Sequence, residues 1–108
     1  MYFTQKHMTY KVNSKSASVN GTSLVGWVQT TYEALYNLLG PAKEGSADGK
    51  TTAEWILESQ DGVVATIYDW KTSSTPKDFY EWHIGGHNSK SLELIETALQ
   101  LPTKKFRI

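Results

Sequence analysis

The sequence contains no cysteine, which excludes disulfide bridges, thiolate nucleophiles and the usual cysteine ligands of structural zinc. It also lacks any run of about 20 apolar residues that could span a bilayer, and its first ten residues hold no apolar core of signal-peptide length. Its 11 basic and 11 acidic residues cancel. Since no net charge attracts a polyanion or an anionic membrane, we expect a soluble cytoplasmic protein without nucleic-acid or membrane partners.

The length of 108 residues suits one domain with a single modest core. We therefore predict a single domain over residues 1–108. Residues 103–108 form a basic tail, which we interpret as a solvated terminus because the overall charge gives no reason to expect a nucleic-acid arm.

The first half of the chain predicts a hairpin followed by a helix. Alternating residues over Thr9–Ser18 and an apolar run over Leu24–Val28 flank an Asn-Gly pair, which is typical of a hairpin turn. A helix is then predicted from Thr30 or Thr31, because apolar residues recur at helical spacing until a Gly-Pro pair at 40–41 ends it. The glycine-rich segment that follows is expected to be mobile.

The second half predicts a central hairpin, a fifth strand and a last helix. Two β-rich runs, Thr51–Ser59 and Val63–Trp70, flank an Asp-Gly pair at 61–62. A strand over Phe79–Ile84 and a helix capped by Asn88 or Ser89 follow. The fold class is thus α+β in the order ββαβββα, an antiparallel sheet of about five strands with two helices on one face.

The strand-to-helix junction after Trp82 is the strongest candidate for a binding site. We expect Gly85 and Gly86 to turn their backbone N–H groups outward at the start of the helix, where its partial positive charge favours anions. An ordinary strand-to-helix connection explains the same residues, and both interpretations stay open.

A second cluster lies near the end of the central hairpin. Tyr68, Asp69 and Trp70 could offer an acid or base with stacking rings, and Asp69 could orient His83 on a neighbouring strand. Both clusters together give the predicted ligand-binding residues: Glu54, Tyr68, Asp69, Trp70, Lys71, Trp82, His83, Gly85, Gly86, His87, Asn88, Ser89 and Lys90.

No motif in the sequence predicts catalysis. There is no Walker loop, nucleophile elbow, paired-carboxylate motif or cofactor fingerprint. His83 and His87 are four residues apart, but the two glycines between them break the helix that would align them on a metal. We therefore predict a non-enzyme with no catalytic residue, no metal and no cofactor.

Several short motifs resemble a family of uncharacterised bacteriophage accessory proteins. They are Leu38-Leu39-Gly40-Pro41, Asp48-Gly49-Lys50 before Glu54-Trp55, the stretch Thr66-Ile67-Tyr68-Asp69-Trp70-Lys71, and Trp82-His83-Ile84-Gly85-Gly86. They fall between Tyr32 and Leu99, about two thirds of the chain. The resemblance implies a viral protein that acts on host pathways in the host cytoplasm, and it assigns no catalytic residue.

Two functions remain open. In the first, the protein is a counter-defence factor that sequesters a small anionic, nucleotide-like signalling ligand without a covalent step, as a homo-oligomer that encloses the ligand. In the second, exposed aromatic residues dock on a host defence enzyme and block it. The glycine turn distinguishes them, because only the ligand trap requires it.

Overall fold

One antiparallel sheet organises the fold in the computed structural model, which describes residues 2–5, 8–14 and 19–107. Two helices accompany it, so the predicted α+β class is confirmed. Within the described ranges the strands are β1 (Tyr2–Gln5), β2 (Met8–Val12), β3 (Ser23–Thr30), β4 (Lys43–Glu44), β5 (Ala53–Ser59), β6 (Val64–Tyr68), β7 (Tyr80–Gly86) and β8 (Lys104–Lys105), and the helices are α1 (Tyr32–Leu39) and α2 (Lys90–Leu99).

The strands follow the spatial order β1-β2-β5-β6-β7-β3-β8, and β4 pairs with β5. The five predicted strands correspond to β2, β3, β5, β6 and β7, while the short strands β1, β4 and β8 were not predicted. The central hairpin is confirmed: β5 pairs with β6, and Gly62 takes the left-handed φ of 88° at the turn.

The predicted opening hairpin is wrong. β2 pairs with β1 and β5, whereas β3 pairs with β7 and β8. Asn13 ends β2: its φ of 54° turns the backbone, and its side-chain oxygen accepts a hydrogen bond of 2.8 Å from the Ile56 N–H. The chain therefore leaves the sheet after β2 and rejoins it beyond β5 and β6, where β3 pairs with β7.

Both helices lie on one face of the sheet, as predicted. The Thr31 hydroxyl caps α1 by accepting from the Ala34 N–H at 3.1 Å, and Gly40 ends the helix. Leu35 and Leu39 of α1 join a core that also contains Ile95 of α2. Neither helix of the described ranges is long and apolar enough to cross a membrane.

The core centres on two tryptophans, Trp55 of β5 and Trp82 of β7. Both are fully buried, and their rings meet edge to face at 5.7 Å. Each indole N–H also donates a hydrogen bond to a backbone carbonyl: Trp55 to Gly40 at 2.9 Å and Trp82 to Thr30 at 3.2 Å. The side of the sheet opposite α1 and α2, called the helix-free face below, carries the alternate residues of the same strands.

The backbone of the basic tail pairs with the sheet, and the side chains of residues 104–107 are exposed, in line with its interpretation as a solvated terminus. β8 pairs with β3, and the Phe106 N–H donates to the Val25 carbonyl at 2.9 Å. The Thr103 hydroxyl also bonds the Glu96 carboxylate of α2 at 2.6 Å. The segment after α1 was predicted to be mobile. In the structure its Ser46 and Thr51 each donate a backbone N–H to the side-chain hydroxyl of the other.

Candidate functional site

Gly85 and Gly86 do not form the predicted anion-binding turn. Both lie inside β7, paired with Leu24 and Ser23 of β3 on one side and with β6 on the other. Neither has a positive φ. Gly86 is a glycine because α2 packs on it: a Cβ there would lie 2.0 Å from the Ser91 Oγ. The expected cradle of outward N–H groups is therefore wrong.

Two polar residues shortly after the glycines, Asn88 and Ser89, form the N-terminal end of α2. The Asn88 side chain accepts from the Lys90 N–H at 2.9 Å, while Ser89 occupies the N-cap without a side-chain cap bond. His87 is exposed beside the turn at Gly21. Lys90 lines a hollow of about 550 Å³ near the β5–β6 turn. The structure does not bring these residues to the second predicted cluster of Tyr68, Asp69 and Trp70.

Asp69 is a structural residue and not the partner of His83. Its carboxylate is fully buried and accepts from the Thr52 N–H at 2.6 Å, the Thr52 hydroxyl at 2.5 Å, the Ala53 N–H at 3.1 Å and the Thr72 hydroxyl. Burial raises its pKa, but these hydrogen bonds outweigh burial, so the pKa is lowered overall. Asp69 thus fixes the loops that flank β5 and β6.

Trp82 was predicted as a ligand-binding residue, and this is wrong because its ring is fully buried in the core beneath α1 and α2. The alternation of β7 places His83 on the opposite, helix-free face. There the register aligns Glu54, Tyr68, His83 and Trp27 directly across β5, β6, β7 and β3.

A continuous row of rings crosses the helix-free face. Successive ring centroids are 6.2 Å apart from Trp70 to Tyr68, 5.4 Å from Tyr68 to His83, 6.2 Å from His83 to Trp27 and 5.7 Å from Trp27 to Phe106. Trp70 and Phe106, at the two ends, are 40% and 38% exposed. We call these five residues the ring row. Neither helix covers it.

Lysines lie at both ends of the ring row. The Nζ atoms of Lys50 and Lys71 are 5.9 and 5.8 Å from the Trp70 ring centroid, and Lys104 Nζ is 5.9 Å from the Trp27 centroid. The left-handed turn at Lys71 (φ 55°) and its N–H bond of 2.6 Å to the Lys50 carbonyl bring the first two together. Cations thus flank the ring row.

The ionisable groups inside the face are shifted by burial. Burial raises the pKa of Glu54, which nearby Lys43 partly opposes, and burial raises the pKa of Tyr68. Burial lowers the pKa of His83 although Glu81 and Asp69 act the other way. Within the described residues, the buried His83 Nδ1 has no hydrogen-bond partner. A neutral imidazole therefore sits at the centre of the ring row.

Of the predicted site residues, the structure assembles Glu54, Tyr68, Trp70, Lys71, His83 and Gly85 on or beside the helix-free face. Sequence reasoning missed Trp27 and Phe106, which complete the ring row, and the flanking Lys50 and Lys104. Alternation within β3 was the available signal for Trp27, since its neighbour Val28 is the buried one. Among the residues that the structure describes, no group of three His, Asp or Glu side chains could hold a metal ion.

Comparisons of the chain with protein-family models, curated proteins and solved structures return no match.

Proposed function

We propose that this protein is a non-enzymatic binding protein that sequesters a small nucleotide-derived molecule on its helix-free face. The observation that carries the proposal is the ring row, an unbroken series of ring contacts from Trp70 to Phe106 across the face that neither helix covers. Every nucleobase has an apolar π-face, and stacking on protein aromatics contributes roughly 1–3 kcal/mol per base.

The flanking charges support a ligand that carries phosphate. Lys50 and Lys71 stand beside Trp70, and Lys104 stands beside Trp27. A base stacked on either ring would place its phosphate within reach of a lysine, and charge-assisted hydrogen bonds to phosphate are stronger than neutral ones. The glycine turn, which the sequence analysis required of a ligand trap, is not formed. The proposal therefore replaces that requirement with the lysines beside the rings as the source of anion affinity.

The charge of the face favours a small molecule over a nucleic-acid polymer. Polymer binding depends on many phosphate contacts along a basic track, whereas Glu54 and Glu81 place carboxylates on this face between the lysines, and the chain has no net charge. One face encloses a ligand only partly, so we include in the proposal a second copy of the chain that covers the face.

The proposed biological role is counter-defence in an infected host cell, in line with the resemblance to phage accessory proteins. The hydrogen bonds of Asp69 support binding without a catalytic step. Its carboxylate accepts from Thr52, Ala53 and Thr72, so it does not orient His83 as a general base. A sequestered signal would be released chemically unchanged.

Calorimetric titration with nucleoside monophosphates and cyclic dinucleotides tests this function. We expect Trp70→Leu and Trp27→Leu each to weaken binding at least about fivefold, because each removes a stacking ring worth about 1 kcal/mol or more. Tyr36→Leu is the matched control, since this ring on α1 is 46% exposed and lies outside the ring row. Absence of binding by the wild-type protein, or equal affinity in all variants, would contradict the proposal.

Native mass spectrometry of protein isolated from infected cells gives a second test. A stoichiometric nucleotide released unchanged by heat supports sequestration, and the same spectrum reports the number of copies. A released product of altered mass would instead indicate an enzyme. If the protein binds a single-stranded oligonucleotide more tightly than any small nucleotide, the choice of a small ligand is overturned.

A further inference from the structure

A shallow pocket of about 210 Å³ adjoins the Trp70 end of the ring row. Its floor is open because residue 85 is glycine: a Cβ there would lie 2.5 Å from the Thr66 Oγ1 and 3.4 Å from the Tyr68 ring. The pocket, called the Glu54 pocket here, is lined by Thr22, Ser23, Thr51, Glu54, Thr66, Tyr68, Trp70 and Gly85.

Glu54 is the acidic member of this lining, and it is half-buried. Its register neighbours are Tyr68 of β6 and Lys43 of β4. Over the described ranges, no residue donates a hydrogen bond to its carboxylate or forms an ion pair with it, and its oxygens keep contact with solvent. Because the side chain is half-buried, donors supplied by a ligand would replace the water contacts that burial removes.

The remaining lining residues suit a flat ring. Tyr68 and Trp70 meet edge to face at 6.2 Å and give the pocket aromatic walls, while Ser23 and Thr66 add hydroxyl groups. Lys50 and Lys71 stand at the outer side of Trp70. A ring held on these walls would present one polar edge to Glu54 and direct its phosphate toward the lysines.

We infer that the Glu54 pocket recognises a guanine-type base, which presents two adjacent N–H donors to the Glu54 carboxylate. This inference rests on the proposed function and specifies its ligand class. The ring N1–H and the 2-amino group of guanine match the two oxygens of a carboxylate as parallel hydrogen bonds. Adenine presents an acceptor nitrogen at the equivalent ring position, which a carboxylate repels.

Affinities for 5′-GMP, 5′-IMP and 5′-AMP measured by calorimetry test the inference. A site built to accept hydrogen bonds rejects an analogue that lacks the donors, because the half-buried acceptor then loses water to the ligand without gaining a hydrogen bond. We expect GMP to bind at least about tenfold more tightly than AMP, with IMP between them because it retains the N1–H and lacks the 2-amino group.

The variant Glu54→Gln should remove this preference, since an amide offers one acceptor and a competing donor. Glu81→Gln is the matched control: it removes a carboxylate from the same face but not from the pocket lining, and the GMP-to-AMP ratio should persist. Equal affinity for GMP and AMP, or a ratio unchanged by Glu54→Gln, would overturn the guanine inference while leaving nucleotide binding intact. If none of the three nucleotides binds the wild-type protein, the inference fails, and the proposed function fails with it if no cyclic dinucleotide binds either.

Discussion

The backbone of Gly86 lies so close to Ser91 that a Cβ atom on Gly86 would stand 2.0 Å from the Ser91 Oγ and 2.4 Å from its Cβ. Ser91 is held there by its hydroxyl, which donates to the Val64 carbonyl at 2.6 Å. Helix α2 therefore rests directly on strand β7, and this contact explains the second glycine of the pair.

We predict that Gly86→Ala destabilises the protein by about 1–3 kcal/mol, because the added methyl group forces α2 away from the sheet. Urea unfolding followed by circular dichroism measures the change. Combining it with Ser91→Gly should cost less than the two single changes added together, since the second removes the atoms that clash. A Gly86→Ala protein as stable as wild type would contradict the packing argument.

Asp69→Ala should lower the free energy of unfolding at neutral pH by about 2–4 kcal/mol, because it leaves the donors of Thr52 and Ala53 without their buried acceptor. Asp69→Asn is the matched variant and should cost less, as its amide oxygen can still accept from the backbone. Thermal unfolding of both variants checks the order, and equal stability of Asp69→Ala and wild type would refute it.

The same carboxylate predicts acid sensitivity. Since the folded-state pKa of Asp69 lies below its ordinary value, its contribution is present above the unfolded-state pKa, about 3.9, and is lost as the pH falls through the folded-state pKa. Asp69→Asn should therefore lose less stability than wild type on acidification below about pH 4. Parallel losses in the two proteins would contradict this linkage.

We expect the titration of His83 to give the stability a second pH dependence, at milder acidity. Because burial lowers its folded-state pKa below 6.5, the unfolded chain takes up the proton first, and stability falls as the pH drops from about 6.5 through the folded-state pKa. His83→Phe keeps a ring in the row and should remove this component, which solvent screening limits to less than about 1 kcal/mol. Chemical unfolding at pH 7.5 and pH 5 gives the comparison, and an unchanged difference in the Phe variant would exclude His83 as its source.

Phe106→Ala should weaken the docking of the C-terminal strand β8. The lost edge-to-face contact with Trp27 is worth about 0.5–1.5 kcal/mol beyond buried area. Amide hydrogen exchange at residue 106, whose N–H bonds the Val25 carbonyl, should become faster. Phe79→Ala is the control, because this ring is 74% exposed, and it should leave exchange at residue 106 unchanged.

Locally encoded features could be predicted from the sequence. The Asp61-Gly62 turn, the Thr31 cap of α1 and the alternation of β5 all depend on residues a few positions apart, so the pattern that predicts them is contained in one segment. Pairing between distant segments could not be predicted in this way. The adjacency of β3 to β7 and β8 depends on tertiary packing, and it brings Trp27 and Phe106 together from positions 79 residues apart.

The glycines at 85 and 86 show why the candidate site was only partly predicted. A glycine pair before a helix is typical of a turn, but the same pair suits a strand that a helix and a pocket approach closely. Only the tertiary contacts with Ser91 and Thr66 distinguish these cases. Tyr68 and His83 were predicted as site residues and lie on the helix-free face, whereas Trp82, predicted with them, is fully buried in the core.

The four tryptophans of the chain fall into two optical classes. Trp55 and Trp82 have no exposed surface, whereas Trp27 and Trp70 are partly open to solvent on the helix-free face. Emission from the first pair should respond to unfolding and resist iodide quenching, while emission from the second pair should be quenched by iodide and by a stacked base. The native protein thus carries separate fluorescent reporters for its folding and for occupancy of its surface.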